Sequence, residues 1–156
     1  MQVSVGVSAL LVYDNHLIIV KKEDATGVSY ILPGGRQEGG ETLEQAVQRE
    51  VWEETGQNVQ VGELLWVREY IGKHHEYAEI DAEVHIVDHL FRCSLQDDVR
   101  LLHPVAPDPD QVGVEWVAVD RLPGYRFFFP RTLIPTIVEL ARGTSMPTPA
   151  YVGDVN

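Results

Sequence analysis

The apolar positions of this chain change period several times, and each change marks an element. Residues 2–13 (QVSVGVSALLVY) are β-branched and apolar, Asp14-Asn15 breaks them, and 16–22 (HLIIVKK) returns, which predicts a hairpin. Residues 23–27 read as a loop and 28–32 as a short strand ending at Pro33. The pairs Gly34-Gly35 and Gly39-Gly40 predict an irregular loop over 33–40. From Leu43 the period becomes helical. Leu43, Ala46, Val47 and Val51 share a face, Thr42 with Gln45 fits a capping box, and Gly56 stands where a C-cap glycine belongs.

Beyond that helix, residues 58–71, 82–95 and 112–119 read as strands, and 130–143 predicts a second helix despite Pro135. Between them, 96–111 carries three prolines and four aspartates and is a long loop of the kind that is often functional or mobile. Residues 144–156 are proline-rich and read as a C-terminal tail to a domain over 1–143. Strands, helix, strands, helix predict an α/β (α+β) fold, a mixed β-sheet with helices packed on its faces.

Composition narrows the function classes. The 156 residues suffice for one domain with a real core, and a formal net charge of -12 argues against a nucleic-acid polymer as partner. Acidity of this kind serves solubility or holds divalent cations, and only position separates the two. Cys93 is the single cysteine, so no internal disulfide forms and a reducing compartment is expected. Val5 to Tyr13 is too short to span a membrane and has no basic residues before it, so no signal peptide, no membrane and a cytoplasmic location are expected.

Position decides in favour of cations. At ~100° per residue, Glu50, Glu53 and Glu54 fall at i, i+3 and i+4 in one sector of the first helix. Three like charges so close destabilise a helix unless a counterion joins them, and hard cations such as Mg²⁺ prefer oxygen ligands. The glycines ahead of the helix let backbone carbonyls and amides approach the same ions and a phosphate.

The spacing Gly35, Glu41, Arg49-Glu50-Val51, Glu53-Glu54 and Gly56 resembles the signature box of the Nudix hydrolases, G-x5-E-x7-R-E-U-x-E-E-x-G-U, where U is a bulky aliphatic. Gln57 replaces the last aliphatic, and Val59 is expected to do its packing. The resemblance implies an α/β/α sandwich and metal-dependent hydrolysis of a nucleoside diphosphate linked to another moiety, with Mg²⁺ or Mn²⁺. By position it makes Glu50, Glu53, Glu54 and the Gly35 carbonyl metal ligands. Glu53 is then the general base with Glu50 its rival, and Glu41 with Arg49 is an ion pair supporting the loop. It also implies a small-molecule nucleotide as partner and a homodimer as the family's common state.

Outside the box, Glu115 is a candidate further metal ligand or an exposed strand carboxylate. Lys21 and Lys22 can reach a phosphate or remain solvated. His85 and His89 would stand roughly 13 Å apart on a strand, too far for one zinc. Glu83, His85, Val87, His89 and Phe91 share a strand face that lines a pocket or covers the sheet, and His74-His75 reads as a loop between strands. Tyr30, Tyr70, Tyr77 and Phe127 to Phe129 are base-stacking candidates or core. Two other readings compete with the hydrolase. A non-catalytic nucleotide sensor on the same fold is disfavoured because every box carboxylate is present. A prenyl-diphosphate isomerase would need Cys93 as catalytic residue. A substrate-specific proline some 16 residues past the box is replaced by Lys73, and Tyr77 falls late for a dinucleotide marker. The substrate therefore stays open among nucleotide sugars such as ADP-ribose, (d)NTPs and dinucleoside polyphosphates.

Overall fold

The computed structural model describes residues 1–98, 101–146 and 150–156; the remaining parts of the expected loop and tail lie outside the described residues. The predicted hairpin forms from β1 (Val3–Tyr13) and β2 (His16–Asp24). Asp14 and Asn15 both take positive φ, which suits the tight turn whose twist matches its flanking strands. β3 (Gly27–Ile31) pairs with β2, and β7 (Gln111–Ala118) pairs with β2 on its other edge. β5 (Val59–Ile71) and β6 (His85–Leu95) are antiparallel, while β6 runs parallel to β1.

The glycine-rich segment is not wholly irregular. Gly34–Arg36 forms β4, antiparallel to β1, because Gly34 can approach a neighbouring strand that any side chain would strike: a Cβ there would lie 2.1 Å from the Val7 carbonyl oxygen.

The strand order is β3-β2-β1-β6-β5-β8, with β4 on β1 and β7 on β2. Alternation along β1 sorts its side chains onto two cores. Val7, Ala9 and Leu11 face α1 (Leu43–Thr55), with Val47, Val51 and Val59, whereas Leu10 faces the other side with Leu17, Trp66 and Leu90. α3 (Ile134–Ala141) covers that second side through Ile137 and Leu140, giving the expected sandwich. Pro135 is tolerated because it lies in the first turn of α3, where no N–H is needed.

α1 is held at both ends. The capping box forms, with the Gln45 N–H donating to Thr42 Oγ1 and the Thr42 N–H to Gln45 Oε1, a motif contributing about 1 kcal/mol. Each buried valine of its apolar face adds roughly 1.5–3 kcal/mol. Gly56 takes the left-handed C-cap conformation. The helix has no basic residue in its last turn, so its terminal carbonyls need other donors. The 96–111 segment supplies them: the Val105 and Ala106 N–H groups donate to the Glu53 carbonyl, and the His103 N–H to that of Thr55.

The expected tail is corrected. Tyr151–Asp154 is a strand, β8, parallel to β5 at the sheet edge. The Asp154 carboxylate accepts from the Ile71 N–H and from ring nitrogens of His74 and His75 at 2.9, 2.7 and 2.6 Å. A proline-rich composition concealed a pairing whose partners lie ~80 residues away. The histidine loop, read as a connection, carries a 3-10 turn at Gly72–His74 and a one-turn helix α2 (Ala78–Asp81), and it anchors this strand.

Burial raises the Asp154 carboxyl, but hydrogen bonds from His75, His74 and the Ile71 amide outweigh it and hold the group at about 2. Its folded value lies below its unfolded one, so its stabilising contribution is complete above ordinary aspartate pH and fades as pH falls toward 2. Asp154→Asn should therefore lower the Tm by a few degrees at pH 6, and the gap to wild type should narrow as pH falls toward 2, as read by circular dichroism.

Candidate active site

The box carboxylates meet the glycine segment on the side of α1 that faces β4. A Cβ on Gly35 would lie 2.4 Å from the Glu50 carboxylate, so glycine is required for Glu50 to reach past the strand. Gly34 donates its N–H to Glu54 Oε1 at 2.7 Å, while Glu54 Oε2 is buried with no hydrogen-bond partner. Glu54 is 1% exposed and Glu50 8%, whereas the Glu53 side chain is 33% exposed.

Arg49 organises this group. Its guanidinium grips Glu41 through Nε and Nη2 at 3.1 and 2.7 Å, and Nη2 also donates to the Arg36 carbonyl. Nη1 meanwhile reaches Glu50 at 2.8 Å and Glu53 at 3.4 Å. The forked bond holds the Glu41 carboxyl below the usual glutamate range. Arg49 thus partners Glu41, as expected, and also supplies the positive charge that lets Glu50 and Glu53 crowd.

Glu50 opens onto a cavity of about 470 Å³ on the opposite face of the sheet. Its mouth carries Gly35, Glu38, Lys22 and Asp108; its floor carries Ser8, Asp88, Arg68 and Trp66. Lys22 Nζ pairs with Asp108 and Asp110 at 3.4 and 3.6 Å, which ties the 96–111 segment to the mouth. A smaller cavity of about 220 Å³ adjoins it, sharing Arg68, Tyr70 and Phe129 and reaching Tyr77 and Asn156.

The NUDIX domain family model matches residues 3–137. This chain belongs to the Nudix family. An ADP-ribose pyrophosphatase of Methanocaldococcus jannaschii is 42% identical over 65 residues, covering 41% of this chain and 38% of that protein. Across three such relatives, the matched stretches span 25% to 41% of the relatives' own lengths. A NUDIX hydrolase structure from Nitrosomonas europaea superposes with a TM-score of 0.73 at 21% identity, over 94% of this chain and 93% of that one. A UDP-X diphosphatase structure superposes at 0.70 and 21% identity, over 99% and 68% of the two chains, a likeness of fold alone.

The Nudix box residues come together; several outlying candidates do not. Glu115 is exposed, accepts from the Tyr125 hydroxyl at 3.2 Å and is absent from the cavity lining; Asp108 stands there instead. His85 bonds Glu69 and His89 the Gly6 carbonyl, so the two rings have separate partners. The strand face of His85, Val87, His89 and Phe91 turns to the α1 side, and the alternate residues Ile86, Asp88 and Leu90 line the cavity. Asp88 and Arg68 were missed, because a charged residue within an alternating strand looks the same whether it faces solvent or a cavity. Of the aromatic candidates, Tyr70 and Phe129 line the cavity, whereas Phe128 is fully buried core and Phe127 is exposed. Cys93 is buried against the α1 core, outside the cavity lining, and burial pushes its thiol up to about 12, which leaves no isomerase nucleophile. Gln57 and Val59 are both buried, and Val59 packs with Val47 and Val51.

Burial pushes the Glu54 carboxyl up to about 8; Glu50 adds to the rise, while the Gly34 amide and Lys22 oppose it. The unfolded chain releases this proton near the ordinary glutamate value and the folded chain near 8, so stability falls as pH rises between those values. In chelator-treated protein the Tm should decline from pH 5 to pH 8, and Glu54→Gln should flatten that decline. An unchanged slope in the variant would place the titrating group elsewhere.

Proposed function

We propose that this chain hydrolyses the pyrophosphate bond of a nucleoside diphosphate linked to another moiety, using Mg²⁺ or Mn²⁺ held by Glu50, Glu53, Glu54 and the Gly35 carbonyl. The observation that carries this reading is the unpartnered, buried Glu54 oxygen beside a Glu50 carboxylate that only a glycine at position 35 leaves room for. All donors are oxygens, as a hard cation requires. Among the described residues no three such ligands are already gathered for a metal ion, and Arg49 Nη1 donates to both Glu50 and Glu53. Loading therefore requires those two to leave Nη1, while Arg49 keeps its two bonds to Glu41.

When bound, the cation supplies positive charge that offsets the negative charge developing on the pyrophosphate oxygens. Lys22 at the cavity mouth adds a second cation for the phosphates. Glu53 takes the proton from the attacking water as its oxygen bonds to phosphorus and the bridging oxygen departs; Glu50, which lines the cavity, is the rival for this role. Asp88 and its neighbours on the floor receive the remainder of the substrate. The ADP-ribose pyrophosphatase relative supports this substrate range.

A phosphate-release screen over nucleotide sugars, (d)NTPs and dinucleoside polyphosphates should find Mg²⁺-dependent turnover. Glu53→Gln should lower kcat by about 10²-fold or more with Tm retained. No turnover on any compound would favour a nucleotide sensor, and near-normal turnover in Glu53→Gln would pass the base role to Glu50.

A further inference from the structure

The cavity floor holds a polar row to which the hydrolytic reading assigns no particular part of the substrate. Strand register sets Gly6, Asp88 and Arg68 side by side on β1, β6 and β5. Asp88 is 7% exposed, and its partners are Ser8 Oγ at 3.0 and 3.1 Å and Arg68 Nε at 3.5 Å. One hydroxyl brings one hydrogen, so Ser8 fills one of about four acceptor sites on the carboxylate. Arg68 Nη1 donates to the Val155 carbonyl at 2.8 Å, but its Nε is buried with no hydrogen-bond partner. Trp66 Nε1, on the same strand and in the same lining, is likewise buried and unpartnered.

Buried charges left short of hydrogen bonds cost free energy that a bound ligand edge can recover. Gly6 keeps the space beside Asp88 open: a Cβ there would lie 3.2 Å from Asp88 Oδ1 and 2.8 Å from Ile86 Cγ2. At this end of the cavity the other walls are apolar or aromatic, with Ile86, Leu90, Tyr70 and Phe129, and the further charged lining lies with the glycine segment and Lys22 at the mouth. Apolar walls with polar atoms confined to one row suit a flat heteroaromatic ring with a polar edge better than a sugar, whose hydroxyls point in all directions. β1 separates β6 from β4, so Asp88 stands two strand spacings, about 10 Å, from the glycine segment. That separation matches a nucleoside whose phosphates lie at Glu50.

We propose that Asp88 and Arg68 read the nucleobase and select guanine. Its pairing edge carries two adjacent N–H donors for the two carboxylate oxygens and, beside them, a carbonyl for Arg68 Nε. Adenine and cytosine place an acceptor next to their one amino donor, where the carboxylate repels it. Uracil flanks its one donor with two carbonyls. This inference rests on the substrate being a nucleotide, as in the hydrolase reading, but not on its being cleaved.

The test is calorimetric binding of guanosine, adenosine, uridine and cytidine diphosphates with Mn²⁺, alongside kcat/KM on one sugar linked to each. Wild type should bind the guanosine compound about tenfold or more tightly than the others, the worth of one bidentate edge. Asp88→Asn, which places a donor where an acceptor stood, should bring the four affinities within about twofold of one another at retained Tm. A structural role would instead weaken all four equally, and that result overturns the proposal. So does a wild type without base preference or without binding, whether or not the variant folds. Guanine-selective binding without cleavage would sink the hydrolase reading and leave this one standing. Equal cleavage of all four would do the reverse.

Discussion

Four carboxylates converge on the guanidinium of Arg49, and the rest of the site follows from how it divides its donors. Two bonds go to Glu41 and fix the loop ahead of α1; Nη1 reaches Glu50, Glu53 and, at 3.8 Å, Glu38. Nothing in this arrangement reaches the outer oxygen of Glu54, which stays buried and without a hydrogen-bond partner. Arg49 thus offsets the charge of the carboxylates it touches, and the one it does not touch is left buried with an oxygen short of a partner. A helix surface built for solubility would have no reason to bury that group.

The fold exists around this helix in a concrete sense. The capping box starts α1 one turn after the glycine segment, β4 presses that segment against β1, and the 96–111 segment satisfies the carbonyls at the helix end. The same segment brings Asp108 to Lys22 at the cavity mouth, so the helix cap and the rim of the cavity are one structure. Gly34 and Gly35 act by absence of a side chain, the first toward the Val7 carbonyl and the second toward Glu50.

Much of this was legible in the sequence because it is local. Thr42, Gln45 and Gly56 signal α1 within a few residues of its ends, and Glu50, Glu53 and Glu54 share a sector by helical period alone. What was not legible depends on distant register. β8 pairs with β5 through residues some 80 positions apart, and proline content hid it. Asp88 and Arg68 become neighbours only through the register in which β5 pairs with β6. For the same reason the His85 face could not be told from the Asp88 face: alternation sorts residues into two sets but does not say which set meets the cavity. Glu115 follows the same rule, since its strand pairs with β2 at the far side of the sheet and leaves it exposed against Tyr125.

In the proposed function a divalent cation completes the carboxylate cluster that Arg49 cannot. The most direct measurement is anomalous scattering from crystals of the protein grown with Mn²⁺. The expected peak lies within ligating distance of Glu54 Oε2, with Glu50 and the Gly35 carbonyl among the neighbouring oxygens and Arg49 still bound to Glu41. A Mn²⁺ peak elsewhere on the molecule, with Glu54 still unliganded, would contradict it.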